Sequence, residues 1–359
     1  MNLPKARGVR GVVPPQATLS SGRTFYQVPV AEVIRETDQA CSIVFDVPPE
    51  LTSVFSYRPG QFLTLRVPVD GGGSVARCYS LCSSPVAGDP LAIAVKRMPS
   101  GIASNWIADN VSAGTVLDVL PPAGTFTPRS LDSDLLLFAG GSGITPVISI
   151  LKSALRAGRG RIVLIYANAD DRSVIFAPAL RELRAAAPSR FVVTHWLDDL
   201  LGPPDVTSLR ELARPYSSYE AFICGPDPYM TAVKQALAEL GVPTPRVHVE
   251  RFLSLAENPF EATADVGGVA ATLEVDLDDE KHKLDWPPGQ RMLDVMIDAG
   301  LDAPYSCREG VCGACACRLL EGEVEMAHNE VLEAADLTDG YILACQSVAL
   351  TDHISVDYS

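Results

Sequence analysis

"LLLFAGGSGITPVISIL", residues 135–151, is the stretch from which the architecture follows. Leu135–Phe138 read as a buried strand, and Gly140, Gly141, Ser142 and Gly143 form a turn. "TPVISILKSALRAG" then continues as a helix, with Pro146 suited to its first turn. Glycines at a turn let the backbone approach an anion, and a helix N-terminus adds partial positive charge. The lysine of a Walker loop is absent, and Pro146 stands where G-x-G-x-x-G would have its third glycine.

Downstream, "GRIVLIYANA", "RFVVTHWL" and "YEAFICG" read as strands, and "APALRELRAAAP" and "DPYMTAVKQALAELG" as helices. Alternation of this kind predicts a doubly wound parallel sheet over residues 129–252. Ligands of such sheets sit outside the carboxyl ends of the strands. Both the glycine turn and "FICGPDPYM" (222–230), with Cys224, Gly225 and Pro226, lie there. Standing alone, Cys224 would read as a packed buried thiol. In "YANADDRSVIF" (166–176), Asp170 or Asp171 would accept from ribose hydroxyls, while Arg172 would attract a 2′-phosphate. Asp171 is taken as the ribose partner, and NADH is expected rather than NADPH.

Upstream, residues 23–128 hold "FYQVPVAEVIRE", "ACSIVFDV", "FLTLRVPV", "ARCYSLCS" and "PLAIAVKR", separated by turns such as "YRPGQ" and "VDGGGS". A small antiparallel β-barrel fits. In "ARCYSLCSSP" (76–85), strand alternation sends Arg77, Tyr79 and Leu81 to one face and Ser80 to the other. A guanidinium suits pyrophosphate, a tyrosine suits a flat ring, and a serine hydroxyl can donate to a flavin. An ordinary strand end is the plain alternative. In "AVKRMPSGIASNWI" (94–107), Val95 and Lys96 end a strand, and Gly101, Ala103 and Ser104 open a short helix. Their amides suit a phosphate.

Residues 1–22 read as a flexible tail, 253–270 as a linker, and 271–359 as a final module. That module contains "YSCREGVCGACACRLLEGEV" (305–324). Its spacing, Cys307-x4-Cys312-x2-Cys315 with Cys345 further on, is the pattern of plant-type [2Fe–2S] sites. Small residues between the ligands, Gly310, Gly313 and Ala314, allow a tight wrap. Structural zinc is the rival reading, but it usually shows two C-x2-4-C knuckles, and Cys345 stands alone. Cys317, two positions beyond Cys315, points the other way if the chain is extended there. It is therefore expected in the core.

The chain is 359 residues long, 47% hydrophobic and 20% charged, as an ordinary globular protein with two or three domains would be. No apolar run approaches the ~20 residues of a membrane span, and no apolar segment follows the basic residues near the start. A cytoplasmic protein is the expectation, and its thiols point to metal or catalysis rather than disulfides. Of the net charge of −15, residues from Ala271 onward carry −14, from 19 acidic and 5 basic side chains. Nucleic acid is excluded as a partner, since binding it needs cations. A protein with a basic face suits that acidic module, as does a simple role in solubility.

Together these motifs resemble a known family. R-x-Y-S at 77–80, G-G-S-G-I-T-P at 140–146 and C-G-P at 224–226 resemble the ferredoxin-NADP reductase superfamily. The order of barrel, nucleotide domain and C-terminal ferredoxin resembles oxygenase reductases, those of phenylacetyl-CoA epoxidases among them. "SVARCYSLCSSP", "YANADDRSVIF" and "LDAPYSCREGVCGACAC" are similar to the reductase components of 3-ketosteroid 9α-hydroxylases. The resemblance implies FAD contacts from Arg77, Tyr79, Ser80, Val95, Lys96, Gly101, Ala103 and Ser104. It implies an NADH site shaped by Gly140–Gly143, Thr145, Pro146, Asp171, Gly225 and Pro226, and a reaction centre of Ser80, Thr145 and Cys224. Phe252, in "VERF", would lie against the flavin or pack at the hinge. The implied activity is a relay from NADH through FAD and a [2Fe–2S] cluster to an oxygenase. The partner is expected to be a Rieske-type steroid hydroxylase, with a di-iron oxygenase as the alternative. A monomer that avoids membranes is expected. A zinc-stabilised, cofactor-sensing interaction protein is the rival from another class.

Overall fold

The computed structural model describes residues 18–20, 23–69, 72–252, 254–255, 258–260, 266–277 and 279–358. The segment expected as a tail lies outside them except for Thr18–Ser20, which is a strand.

The first module is built of β1 (Thr18–Ser20), β2 (Arg23–Arg35), β3 (Ala40–Phe45), β4 (Phe62–Pro68), β5 (Ser74–Ser80), β6 (Ala92–Lys96), α1 (Ile102–Asn110) and β7 (Val116–Val119). The strands run antiparallel in the order β5-β4-β7-β2-β3-β6, with β1 on β2. A register shift between Val30 and Glu32 bends β2, so its first half pairs β7 and its second half β3. A bridge between Leu81 and Ile93 joins the two edges, which closes the barrel around Val28, Ile43, Leu63, Leu65 and Val119.

The second module alternates β8 (Leu135–Gly140), α2 (Ile144–Ala157), β9 (Ile162–Asn168), α3 (Ala177–Ala186), β10 (Phe191–Leu197), α4 (Asp198–Leu201), α5 (Val206–Ala213), β11 (Glu220–Cys224), α6 (Asp227–Glu239) and β12 (Val247–Glu250). All pairings are parallel, in the order β10-β9-β8-β11-β12. Every residue of β8 and β9 is buried because helices cover both faces. Leu135, Leu137 and Ala139 pack with α2 and α3, and Leu136 and Phe138 with α5 and α6. The order reverses between β8 and β11, which opens a ligand crevice at their carboxyl ends.

The third module comprises β13 (Ala271–Leu277), β14 (Glu280–Trp286), α7 (Met292–Asp298), β15 (Ala316–Glu321), β16 (Val324–Met326), α8 (Ala334–Thr338), β17 (Tyr341–Leu343), β18 (Ser347–Ala349) and β19 (His353–Asp357). A mixed sheet in the order β14-β13-β19-β15-β17 packs on α7, with Met292, Leu293 and Met296 in its core.

Between the second and third modules, the described residues are pinned to the barrel. Asn258 donates to the Ser74 carbonyl at 3.2 Å, and the Phe260 ring meets Phe25 edge-on at 5.8 Å. Leu255 and Phe260 join Phe62, Ala76 and Leu120 in one apolar cluster with Cys307 and Cys312. The cysteine loop is thereby seated on the outer face of the barrel. Among the described residues, no helix is long and apolar enough to cross a membrane.

Candidate functional site

Cys307, Cys312, Cys315 and Cys345 are all buried on the loops around β15 and β17. They meet in pairs, Cys307 hydrogen-bonded to Cys312 and Cys315 to Cys345. Donors converge on every sulfur. The Glu309 amide reaches Cys307 Sγ at 3.4 Å, Ala314 reaches Cys312 Sγ at 3.5 Å, and the Cys345 amide reaches Cys315 Sγ at 3.4 Å. Gln346 Nε2 lies 3.7 Å from Cys345 Sγ. The Cys312 thiol and nearby amides hold Cys307 below the usual thiol range. The Cys315 thiol likewise lowers Cys345. Gly310 (φ 75°) must be glycine, since a Cβ would lie 2.5 Å from the His328 carbonyl oxygen.

This donor set fits a two-iron cluster. Two sulfide-bridged irons need the thiolates two and two, which is the pairing found. Cys317 lies in the core opposite Ile342, and burial pushes its thiol up to about 12.

A cavity of about 610 Å³ opens where the three modules meet. Its walls are Phe62, Cys78 and Ser80 of the barrel, Glu250–Phe252 beyond the parallel sheet, and Cys307 and Cys312. Alternation along β5 sorts the motif, with Tyr79 packing on the barrel core while Cys78 and Ser80 face the cavity. Arg77 donates to the Ala76 carbonyl at 2.6 Å and spans to Leu255 at 3.4 Å. The volume suits a planar cofactor, and the buried Ser80 hydroxyl supplies polarity on the wall. At the start of α1, Ser104 Oγ accepts from the Met98 amide at 3.2 Å, and Val95 and Ala103 are buried. A Cβ on Gly101 would lie 2.5 Å from Ser104 Oγ, so only glycine permits this turn. Burial raises the Glu250 carboxyl to about 7.

The second group of residues lies at the switch point. A Cβ on Gly143 would fall 2.1 Å from the Cys224 carbonyl oxygen, and one on Gly140 would fall 2.8 Å from Pro226 Cδ. Two of the turn's glycines thus serve contact between the ends of β8 and β11. Gly141 (φ 53°) instead faces Lys96 Nζ, 3.5 Å from where its Cβ would be. Thr145 Oγ1 donates to the Ser142 carbonyl at 3.0 Å, and burial keeps the Cys224 thiol protonated.

Asp171 is exposed, while Asp170 caps the following turn by accepting from the Ser173 amide at 2.8 Å. Sequence reasoning did not anticipate Asn168 or Asp198. Both amide atoms of Asn168, and Asp198 Oδ1, are buried without a hydrogen-bond partner among the described residues. The nearby Tyr166 hydroxyl is engaged by the Gly141 carbonyl at 3.0 Å. Asn168 and Leu197 are in register on neighbouring strands, so these orphaned groups share the crevice edge. Such groups are rare in folded proteins and call for a reason, and they lie near the carboxyl ends of the strands, where ligands of such sheets bind.

Residues 27–127 match the oxidoreductase FAD-binding domain, 137–235 the oxidoreductase NAD-binding domain, and 275–350 the 2Fe-2S iron-sulfur cluster binding domain. The chain is 54% identical to the ferredoxin reductase component of 3-ketosteroid-9-alpha-monooxygenase from Rhodococcus rhodochrous, over 92% of this chain and 95% of that protein. It is 35% identical to a component of the 1,2-phenylacetyl-CoA epoxidase of Escherichia coli (strain K12), over 93% and 98%. Among solved structures it is similar to phthalate dioxygenase reductase, described as a modular structure for electron transfer from pyridine nucleotides to [2Fe–2S]. That match has a TM-score of 0.55 at 25% identity and covers 93% of this chain and 98% of the other.

Proposed function

We propose, since the chain belongs to the family of 3-ketosteroid-9-alpha-monooxygenase ferredoxin reductase components, that it supplies electrons from NADH to a steroid 9α-hydroxylating oxygenase. Its FAD-binding, NAD-binding and 2Fe–2S domains make it an oxidoreductase that passes electrons to an oxygenase partner. A flavin bound there would accept one hydride, two electrons with a proton, and release the electrons singly, the exchange a nicotinamide and an iron–sulfur cluster cannot make directly. The observation that carries the reading is the shared chamber, in which Ser80 of the flavin module and Cys307 and Cys312 of the cluster module line one cavity.

The chain's own residues divide the labour. Ser80 presents a hydroxyl to the ring from the cavity wall, Arg77 holds the barrel side of the flavin, and Tyr79 backs the strand from the barrel core. Gly101 and Ser104 present the α1 amides to a phosphate. Lys96, at the end of β6, serves the flavin side, the Gly140–Gly143 turn receives the nicotinamide nucleotide's phosphates, and Asn168 and Asp198 lie toward its sugar, with Asp171 at the rim. Thr145 and Cys224 would serve the nicotinamide as neutral groups, since burial keeps the Cys224 thiol protonated. Cys307, Cys312, Cys315 and Cys345, paired as Cys307 with Cys312 and Cys315 with Cys345, would hold the cluster that takes up single electrons. None of the nine cysteines is in a disulfide, which accords with a reducing cytoplasm, where the chain acts as a monomer between encounters with its oxygenase.

The steroid reading draws on 54% identity against 35% for the epoxidase component. Reconstitution with purified oxygenases tests it. NADH-driven turnover of a 3-ketosteroid is expected, and turnover only of an aryl-CoA would move the chain to the di-iron branch. Cys307→Ser should abolish delivery to either oxygenase while NADH-driven dye reduction persists.

A further inference from the structure

Thr64 Oγ1 of the barrel lies 2.7 Å from Ser306 Oγ, next in sequence to the ligand Cys307. Both residues are buried, at 0% and 1% exposure. Thr64 Oγ1 also meets Cys78 Sγ at 3.4 Å, and Cys78 is opposite it in the β4–β5 register. The result is a polar bridge from the strand that carries Ser80, through Thr64, into the cysteine loop. Beside it lies the apolar cluster of Phe62, Leu120, Leu255 and Phe260. Apolar surfaces alone tolerate sliding, because burial is non-directional. A buried hydroxyl that loses its partner is left with its desolvation uncompensated, so the pair admits one register of module on module.

We propose that the Thr64–Ser306 hydrogen bond is a positioning contact that fixes the cysteine loop against the flavin strand and so sets the rate of flavin-to-cluster electron transfer. This rests on the relay reading above. Thr64 does not line the cavity, and it acts by locating Ser306 and, through it, Cys307. Burial keeps the Cys78 thiol protonated, so it serves the bridge as a neutral hydroxyl-like partner.

The test uses the full-length holoenzyme mixed anaerobically with NADH. Thr64→Val keeps the shape and removes the hydroxyl. The flavin-reduction phase should stay within twofold of wild type, while cluster reduction slows about tenfold, since small misplacements are costly in rate. Thr64→Ser, which keeps the hydroxyl, should restore most of that rate. Ser306→Ala should match Thr64→Val, and the double variant should be no slower than either. Independently of activity, amide hydrogen exchange over residues 306–310 should quicken in Thr64→Val and not in Thr64→Ser. Cluster loss from Thr64→Val but not from Thr64→Ser supports the same hold. An unchanged cluster phase, equal slowing of both phases, additive single effects, or a Thr64→Ser variant as impaired as Thr64→Val would each overturn the proposal. If wild-type enzyme shows no cluster phase at all, the relay reading fails instead, while hydrogen exchange still reports on the contact.

Discussion

Behind the cysteine loop, the Arg308 guanidinium donates to the Asp294 carboxylate of α7, with both side chains buried. Arg308 follows Cys307 directly and holds a left-handed backbone at φ 62°. Its carbonyl accepts from Gln346 Nε2 at 2.6 Å. One residue thus ties the first ligand to the helix behind it and to the segment that bears Cys345. Removing one member of a buried pair leaves the other charge uncompensated, which costs about 3–5 kcal/mol. Asp294→Ala should therefore lower the thermal midpoint of the holoprotein by several degrees and speed cluster loss to a chelator. Unchanged loss kinetics would show that the loop is held by its ligands alone.

Cysteines within one short run should respond differently to substitution. Cys312→Ser removes half of an iron-binding pair, and the visible cluster spectrum and iron content should fall away together. Cys317→Ala, in the core opposite Ile342, should retain both and cost only about 1 kcal/mol of stability through the small cavity it leaves. Denaturant titration beside iron analysis separates the two outcomes.

Glu250 predicts a pH signature. Burial raises its carboxyl from the ordinary 4.5 to about 7, so the folded protein binds a proton that the unfolded chain has released between those values. Stability from this group is complete below pH 4.5 and lost as pH rises through 7. Glu250→Gln, which cannot ionise, should be the more stable protein at pH 8. The gain should be about 1 kcal/mol after allowance for partial exposure. The advantage should shrink steadily toward pH 5. A gain that is constant with pH would mean the carboxyl does not titrate there.

Asp198 gives a test of the nucleotide edge. Asp198→Ala removes the carboxylate proposed to accept from sugar hydroxyls, so KM for NADH should rise about tenfold with kcat little changed, the mark of lost uniform binding. Steady-state dye reduction measures both constants. A fall in kcat at constant KM would place Asp198 nearer the chemistry than the crevice edge suggests.

Gly143→Ala should be among the most damaging small changes, because the added methyl would fall 2.1 Å from the Cys224 carbonyl oxygen. Either β8 and β11 separate at their ends or the turn collapses. NADH binding should be lost while the cluster spectrum survives, as absorbance and nucleotide titration would show.

Much of the fold was legible because local pattern and burial coincide. The run Leu135–Phe138 is apolar at every position since helices cover both faces of β8, and the glycine turn after it can only be a tight connection. Cys-x4-Cys-x2-Cys is likewise a local constraint, set by the reach of one loop around one cluster. The acidic character of the last module follows from counting side chains. In each case the interacting atoms are neighbours in sequence.

What composition and spacing could not supply is whatever depends on distant segments meeting. Thr64 and Ser306 lie 242 residues apart, and nothing near Thr64 marks it as more than an alternating strand residue. Asn168 and Asp198 became conspicuous only when adjacent strands left their polar atoms buried without partners. Gly140 and Gly143, read as room for an anion, also prove to be room for the Cys224–Pro226 turn. Periodicity determines which face of an element is buried. Only tertiary packing decides what that face is buried against, because close contact and desolvation are properties of three-dimensional neighbours.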